Sequence, residues 1–185
     1  YSTGMPALYE QFKALYPGSM LQSSLEEAIR KNLSFNKLEL PADIHVLNTD
    51  SVRSFKEITD RYLGKVIFID IWATWCGPCR QSFAHVEPLQ KYAEENDIVL
   101  LYVSIDRPSE ADLWKKMAGY YNLKGEHVII NEFFKMDIYN TFGNNGALYI
   151  PHCAIINKKG ELQFKVASSP ENMDKLAEQL QEAGK

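Results

Sequence analysis

The chain has 185 residues, 45% of them hydrophobic, enough for one substantial domain around a single buried core with material to spare. Its 20 Lys and Arg against 24 Asp and Glu give a formal charge of −4 without a basic block, so nothing in it suits a phosphate backbone. The longest apolar runs, such as 66–71, fall far short of the roughly 20 residues a membrane-spanning helix needs. No charged segment followed by an apolar one opens the chain, so a targeting peptide is expected to be absent or already removed. Three cysteines are too few for a disulfide-framed mini-protein, and two of them, Cys76 and Cys79, stand three positions apart.

Residues 6–16 and 21–33 carry apolar side chains at helical spacing. The first run is ended by Pro17-Gly18 and the second is opened by Ser23 and Ser24, which predicts two short helices in an extension over 1–40. A second division, 41–185, starts with a short strand over 44–47 and a helix N-capped by Ser51 that runs to 63 and stops at Gly64. From Lys65 onward strands alternate with helices, the signature of crossover units around a central sheet. Strand 66–71 leads to a helix over 80–95 interrupted or kinked at Pro88, then strand 98–105 and a helix from Ser109 to about Tyr121. A third strand over 128–130 precedes a helix over 133–142 ending at Gly143. Strand 149–157, a turn at Lys158-Lys159-Gly160, strand 161–166 and a helix after Ser169-Pro170 close the chain as a hairpin and terminal helix.

Cys76-Gly77-Pro78-Cys79 lies where a buried strand hands over to a helix. There the first sulfur meets backbone N–H groups and the positive end of the helix dipole, which favours thiolate. Only the thiolate attacks a disulfide, whereas the second cysteine, one helical turn on, stays protonated until it resolves the mixed disulfide. Gly77 is expected to permit a tight turn, and Pro78 presets φ for the first helical turn. A structural zinc site would need two further ligands, and Cys153 with four scattered histidines, His45, His85, His127 and His152, supplies no second paired spacing. A purely structural disulfide closing so short a loop confers little stability. Asp70 sits inside an apolar run, so it is either a buried carboxyl with a raised pKa or a strand-edge group facing water. Cys153 is either a buried small residue or a third redox thiol beside Cys76, and neighbouring His152 either packs or tunes the site.

The stretch Asp70-Ile71-Trp72-Ala73-Thr74-Trp75-Cys76-Gly77-Pro78-Cys79-Arg80 resembles the active-site segment of thioredoxins, and the longer chain resembles the TlpA/ResA-like branch of thioredoxin-fold thiol:disulfide oxidoreductases. Ile150-Pro151 and Lys158-Lys159-Gly160-Glu161 extend the likeness over 41–185, leaving 1–40 outside it. The resemblance implies an α/β three-layer sandwich: a central mixed β-sheet flanked by helices, with a strand-helix insertion near 128–142 before a cis-proline at Pro151. It implies Cys76 as nucleophile, Cys79 as resolving thiol and Asp70 as proton acceptor. Trp75, Gly77, Pro78, Ile150 and Pro151 would form the docking surface, where the Ile150 backbone meets an extended substrate segment. No cofactor beyond the redox-active disulfide, no metal and no nucleic acid are implied. Protein thiols and disulfides would be the partners and a membrane reductase the electron donor. The place would be the periplasm or cell envelope, with a membrane tether in the full-length protein.

Two positions depart from the branch: Ser82 and Ala84 replace its usual glutamate and proline, which predicts a helix less kinked near the site. The CGPC dipeptide points to the reducing end of a scale running from about −270 mV for thioredoxin to about −120 mV for DsbA. A thiol peroxidase is the first alternative, but its Pro-x-x-x-Thr/Ser-x-x-Cys pattern is lacking where Ile69, Thr74 and Trp75 precede Cys76. A peptide-docking or chaperone module on the same fold is the second.

Overall fold

The structure, a computed structural model, describes residues 4–185, so the first three positions of the N-terminal extension lie outside the described residues. Contacts divide the chain into two compact units, one ending at Leu40 and the other starting at Pro41. In the first, α1 (Met5–Leu15) and α2 (Gln22–Asn36) join through a turn in which Gly18 takes φ +83°, a left-handed conformation suited to glycine. Tyr9, Ile29, Asn32 and Phe35 are buried among its described residues, and the Tyr9 hydroxyl donates to Glu26 Oε1 at 2.7 Å. Ser23 and Ser24 lie inside α2 rather than capping it, because the helix already begins at Gln22 after Leu21.

The second unit is a six-stranded mixed sheet in the order β1-β4-β3-β2-β5-β6. Its strands are β1 (Ile44–Val46), β2 (Ile67–Trp72), β3 (Val99–Ser104), β4 (Gly125–Ile129), β5 (His152–Ile156) and β6 (Leu162–Phe164). The first four named in spatial order run parallel, while β5 and β6 run antiparallel to β2 and to each other. Right-handed crossovers explain the layers. The connections β2 to β3 to β4 step in one direction across the sheet, so α4 (Gly77–Ser82), α5 (Val86–Glu95) and α6 (Ala111–Tyr120) share a face. The connection from β1 to β2 steps the opposite way and places α3 (Phe55–Thr59) on the other face, where α7 (Glu132–Phe142) joins it. The terminal helix α8 (Met173–Ala183) buries Leu176, Leu180 and Ala183.

Every residue of β2 is buried, and strand alternation sorts its side chains. Ile67, Ile69 and Ile71 enter an apolar core with Leu101, Val103, Val128, Phe55, Phe134 and Ile138, each fully buried aliphatic contributing about 1.5–3 kcal/mol. Phe68, Asp70 and Trp72 point to the opposite face, where the Trp72 ring meets Phe83 edge-on at 5.1 Å.

Three expectations need correction. The helix over 80–95 is interrupted as expected, but by a 3-10 turn at Phe83–His85 between α4 and α5 rather than at Pro88, and Ser82 and Ala84 do not leave the segment straighter. Pro88 is the cause: it lacks an N–H and its ring excludes the carbonyl of Ala84 from the helical position, so the break falls a turn upstream and Pro88 itself sits in the first turn of α5. The cap of α3 is Ser54, which accepts from the Glu57 N–H at 3.3 Å, not Ser51. The carbonyls of Thr49 and Val52 are taken by the Asn131 side-chain amide at 2.6 and 2.8 Å, which holds 49–52 out of the helix. The late strand starts at His152 rather than 149, directly after Pro151, which has no N–H to give a ladder.

Candidate active site

The site begins with the end of β2. Beyond Trp72 the chain turns through Ala73, Thr74 and Trp75, and Cys76 becomes the N-cap of α4 with Cys76 N–H donating to Ala73 O at 3.0 Å. Cys76 and Cys79 form a disulfide, both buried, with Cα atoms 5.3 Å apart. The Cys79 N–H points at Cys76 Sγ across 3.1 Å, so the sulfur stands where a capping oxygen would and meets a donor that stabilises negative charge. Trp75, 61% exposed, lies against solvent beside the buried pair, and Pro78 is exposed in the first turn.

Gly77 does not adopt a left-handed conformation, and a Cβ built on it would meet only Arg80 Nη2 at 4.0 Å. The tight-turn expectation for Gly77 is therefore corrected: the N-cap conformation of Cys76 makes the turn. Gly77→Ala is expected to stabilise the protein by about 0.4–1 kcal/mol, because the unfolded chain loses freedom that the folded one never used. A thermal midpoint below that of the parent would contradict this.

A hydrogen-bond network that the sequence did not announce braces the same loop. Asp106, 2% exposed just past β3, accepts from Thr74 N–H at 2.9 Å and Thr74 Oγ1 at 2.8 Å, and Ser104 Oγ donates to it at 2.7 Å. On the other side Arg80 Nη1 donates to Thr74 O at 2.8 Å. Thr74 is thus gripped at its amide, hydroxyl and carbonyl, which fixes the two residues that follow it. The available signal was a carboxylate ending an uninterrupted apolar strand, a place where ionised groups occur only with partners.

Asp70 is 1% exposed, which removes the strand-edge alternative. Its Oδ1 has no hydrogen-bond partner, and burial pushes its pKa up to about 7. It faces the α4–α5 side of the sheet, the side on which Trp72 contacts Phe83. A raised folded-state pKa means that Asp70 stabilises the fold below its unfolded value near 4 and loses that contribution as pH rises through about 7. The difference is at most about 4 kcal/mol. Asp70→Asn is accordingly expected to raise the unfolding midpoint at pH 8 and leave it nearly unchanged at pH 4; equal effects at both values would refute the buried-ionisation account.

The Ile150–Pro151 peptide is cis, and both residues are partly buried at the entrance to β5. Cys153 is a free, buried thiol directly opposite Asp70 in the β2–β5 ladder, its pKa pushed well up by burial, the Asp70 charge and Glu171. Cys76 is bonded to Cys79 rather than to Cys153. His152 pairs with Ile71 and so faces the opposite side of the sheet, where its ring meets Phe142 edge-on at 5.4 Å and Nε2 donates to Lys165 O at 2.8 Å. Burial lowers its pKa, as befits a packing residue. Among the described residues, no three His, Cys, Asp or Glu side chains gather as a metal-ligand group, and no helix is long and apolar enough to cross a membrane.

Known proteins resemble this chain. The chain is 32% identical over 101 residues to the thioredoxin-like protein YneN of Bacillus subtilis, covering 54% of this chain and 55% of that one. It is 28% identical over 102 residues to the thiol-disulfide oxidoreductase ResA of Geobacillus kaustophilus, covering 55% and 54%. The chain thus spans about half the length of the curated relatives it matches. Among solved structures, a Bacteroides vulgatus protein described as a thiol-disulfide oxidoreductase superposes with a TM-score of 0.52 at 29% identity, covering 67% of this chain and 76% of that one. The Redoxin family matches residues 50–180, which take in the dithiol, Asp70, Asp106 and the cis-proline. The chain belongs to the Redoxin family, as a thioredoxin-fold member of the TlpA/ResA type.

Proposed function

We propose that the protein is a thiol:disulfide oxidoreductase that passes electrons to disulfides of other proteins through Cys76 and Cys79. The observation that carries this is the capping position of Cys76, whose sulfur receives the Cys79 N–H while its redox partner sits one helical turn further on. In the reduced protein the Cys76 thiolate attacks a client disulfide, forming a mixed disulfide and releasing one client thiolate. The Cys79 thiol then gives its proton to the Asp70 carboxylate and attacks Cys76 Sγ. The second client sulfur leaves as a thiolate and the Cys76–Cys79 bond forms; the client has gained two electrons, its two thiolates take protons from solvent, and Asp70 returns the proton it accepted to solvent. Asp70 suits this step because a carboxyl that titrates near neutrality can both take and return a proton at working pH.

Exposed Trp75 and Pro78, with Gly77, Ile150 and Pro151, supply the docking surface, apolar side chains around backbone that an extended client segment can pair with. By likeness to the TlpA/ResA branch, the protein works in the cell envelope or periplasm, tethered there when full length, and is recharged by a membrane reductase. Reduced protein mixed with insulin is expected to precipitate the insulin chains while its own Cys76–Cys79 bond reforms. Its midpoint potential is expected nearer about −270 mV than about −120 mV. Insulin left soluble with the dithiol still reduced would overturn the assignment.

A further inference from the structure

The ladder registers line up four ionisable side chains in one row across the sheet: Cys153 of β5 opposite Asp70 of β2, Asp70 beside Tyr102 of β3, and Tyr102 beside His127 of β4. Residues in register share a face, so all four project toward the side that carries α4, α5 and α6. Their exposures are 6%, 1%, 1% and 0%, a depth at which polar groups ordinarily have partners. Yet Asp70 Oδ1, Tyr102 Oη and His127 Nδ1 all lack one. Two unpartnered oxygens on neighbouring strands, one a carboxylate that accepts and one a hydroxyl that donates, are complementary.

The other members of the row have different parts. His127 Nε2 donates to Leu123 O at 2.6 Å, and burial lowers its pKa to about 4, so the ring is neutral at working pH. It stacks on the Tyr102 ring with centroids 4.8 Å apart and planes 18° apart, holding the phenol upright. Cys153 flanks Asp70 on the other side, but a thiol is a weak donor, and beyond it stands the charge of Glu171. Gln90 of α5 lies close enough to the Tyr102 oxygen to act on it as a hydrogen-bond donor, lowering the phenol pKa against the burial and the Asp70 charge that push it up, and this leaves the hydroxyl hydrogen itself unassigned.

We propose that Tyr102 is the positioning residue for Asp70: its hydroxyl is the donor that meets the Asp70 carboxylate once ionised, directly or across one buried water, and so sets the pH at which Asp70 accepts a proton. This rests on the reading of Asp70 as the acceptor for the Cys79 proton. A hydroxyl that recognises only the charged form lowers proton affinity against the pull of burial.

Carbon-13 NMR of protein labelled at the aspartate carboxyls tests the inference, with the Asp70 resonance identified by its loss in Asp70→Asn. The wild-type inflection is expected below the value of about 7 that burial alone gives. Tyr102→Phe keeps the ring and its stack on His127 while removing the oxygen, and is expected to raise that inflection by about one pH unit, roughly tenfold in proton affinity. An inflection that stays in place would overturn the role of Tyr102. The general-base reading fails separately, if Asp70→Asn leaves the pH profile of insulin reduction unchanged.

Discussion

Cys76→Ser is expected to lower the rate of insulin reduction by about a thousandfold or more, since removing the nucleophile removes the only group that forms the covalent intermediate. Cys79→Ser is expected to fail differently. It should still attack clients but stall there, accumulating mixed disulfides on Cys76 that run as slow bands on non-reducing gels and collapse with added dithiothreitol. The contrast follows from position: Cys76 caps α4 and lies next to exposed Trp75, whereas Cys79 is fully buried a turn deeper. Cys153 gives a useful control because it is buried and free, paired across the sheet with Asp70 rather than bonded to either cysteine of the motif. Insulin reduction by Cys76→Ser at the parent rate would remove the dithiol mechanism altogether.

Asp106→Ala is expected to produce the largest loss of stability among single changes near the site. It strands the Thr74 N–H, the Thr74 hydroxyl and the Ser104 hydroxyl, all buried donors that now end on one carboxylate. Orphaned buried donors cost about 1–3 kcal/mol each where water cannot reach them, so a loss of roughly 3 kcal/mol is expected in urea unfolding. Asp106→Asn keeps one acceptor oxygen and should fall between the two. The activity of folded Asp106→Ala should also drop, by about tenfold or more, because Thr74 no longer fixes the segment that presents Trp75 and Cys76. A midpoint and a rate both equal to the parent's would show that the network braces nothing.

The dithiol and the terminal hairpin were legible because each is written in a local pattern, the burial of Asp70 was one of two readings its apolar run allowed, and the mixed sheet came with the family resemblance. CGPC stands between a strand and a helix, an apolar run surrounds Asp70, and a Lys-Lys-Gly turn separates two strands. Where several local signals compete, the sequence is silent on which one prevails. Ser51 and Ser54 are both fair caps, and the choice falls to Asn131, some eighty residues away, which occupies the carbonyls of Thr49 and Val52. Pro88 is a visible helix breaker, but its effect lands at Phe83–His85, where the carbonyl it displaces would have bonded. Gly77 carries the reputation of its residue type and not of its backbone. Asp106 and Tyr102 escaped because strand periodicity tells which face a residue takes, while only the register between strands tells what it stands opposite.

The alternation along β2 has a practical consequence for anyone who wishes to re-engineer the protein. Odd-numbered positions, Ile67, Ile69 and Ile71, belong to an apolar layer with α3 and α7, at whose edge the neutral-leaning His152 ring packs on Phe142. Even-numbered ones, Phe68, Asp70 and Trp72, belong to the layer that Phe83 covers and that holds Cys153 and Tyr102. One six-residue strand therefore works as a partition between durability and reactivity: the first side can be repacked for heat tolerance while the redox poise stays put, and the second can be retuned without touching the keel of the fold.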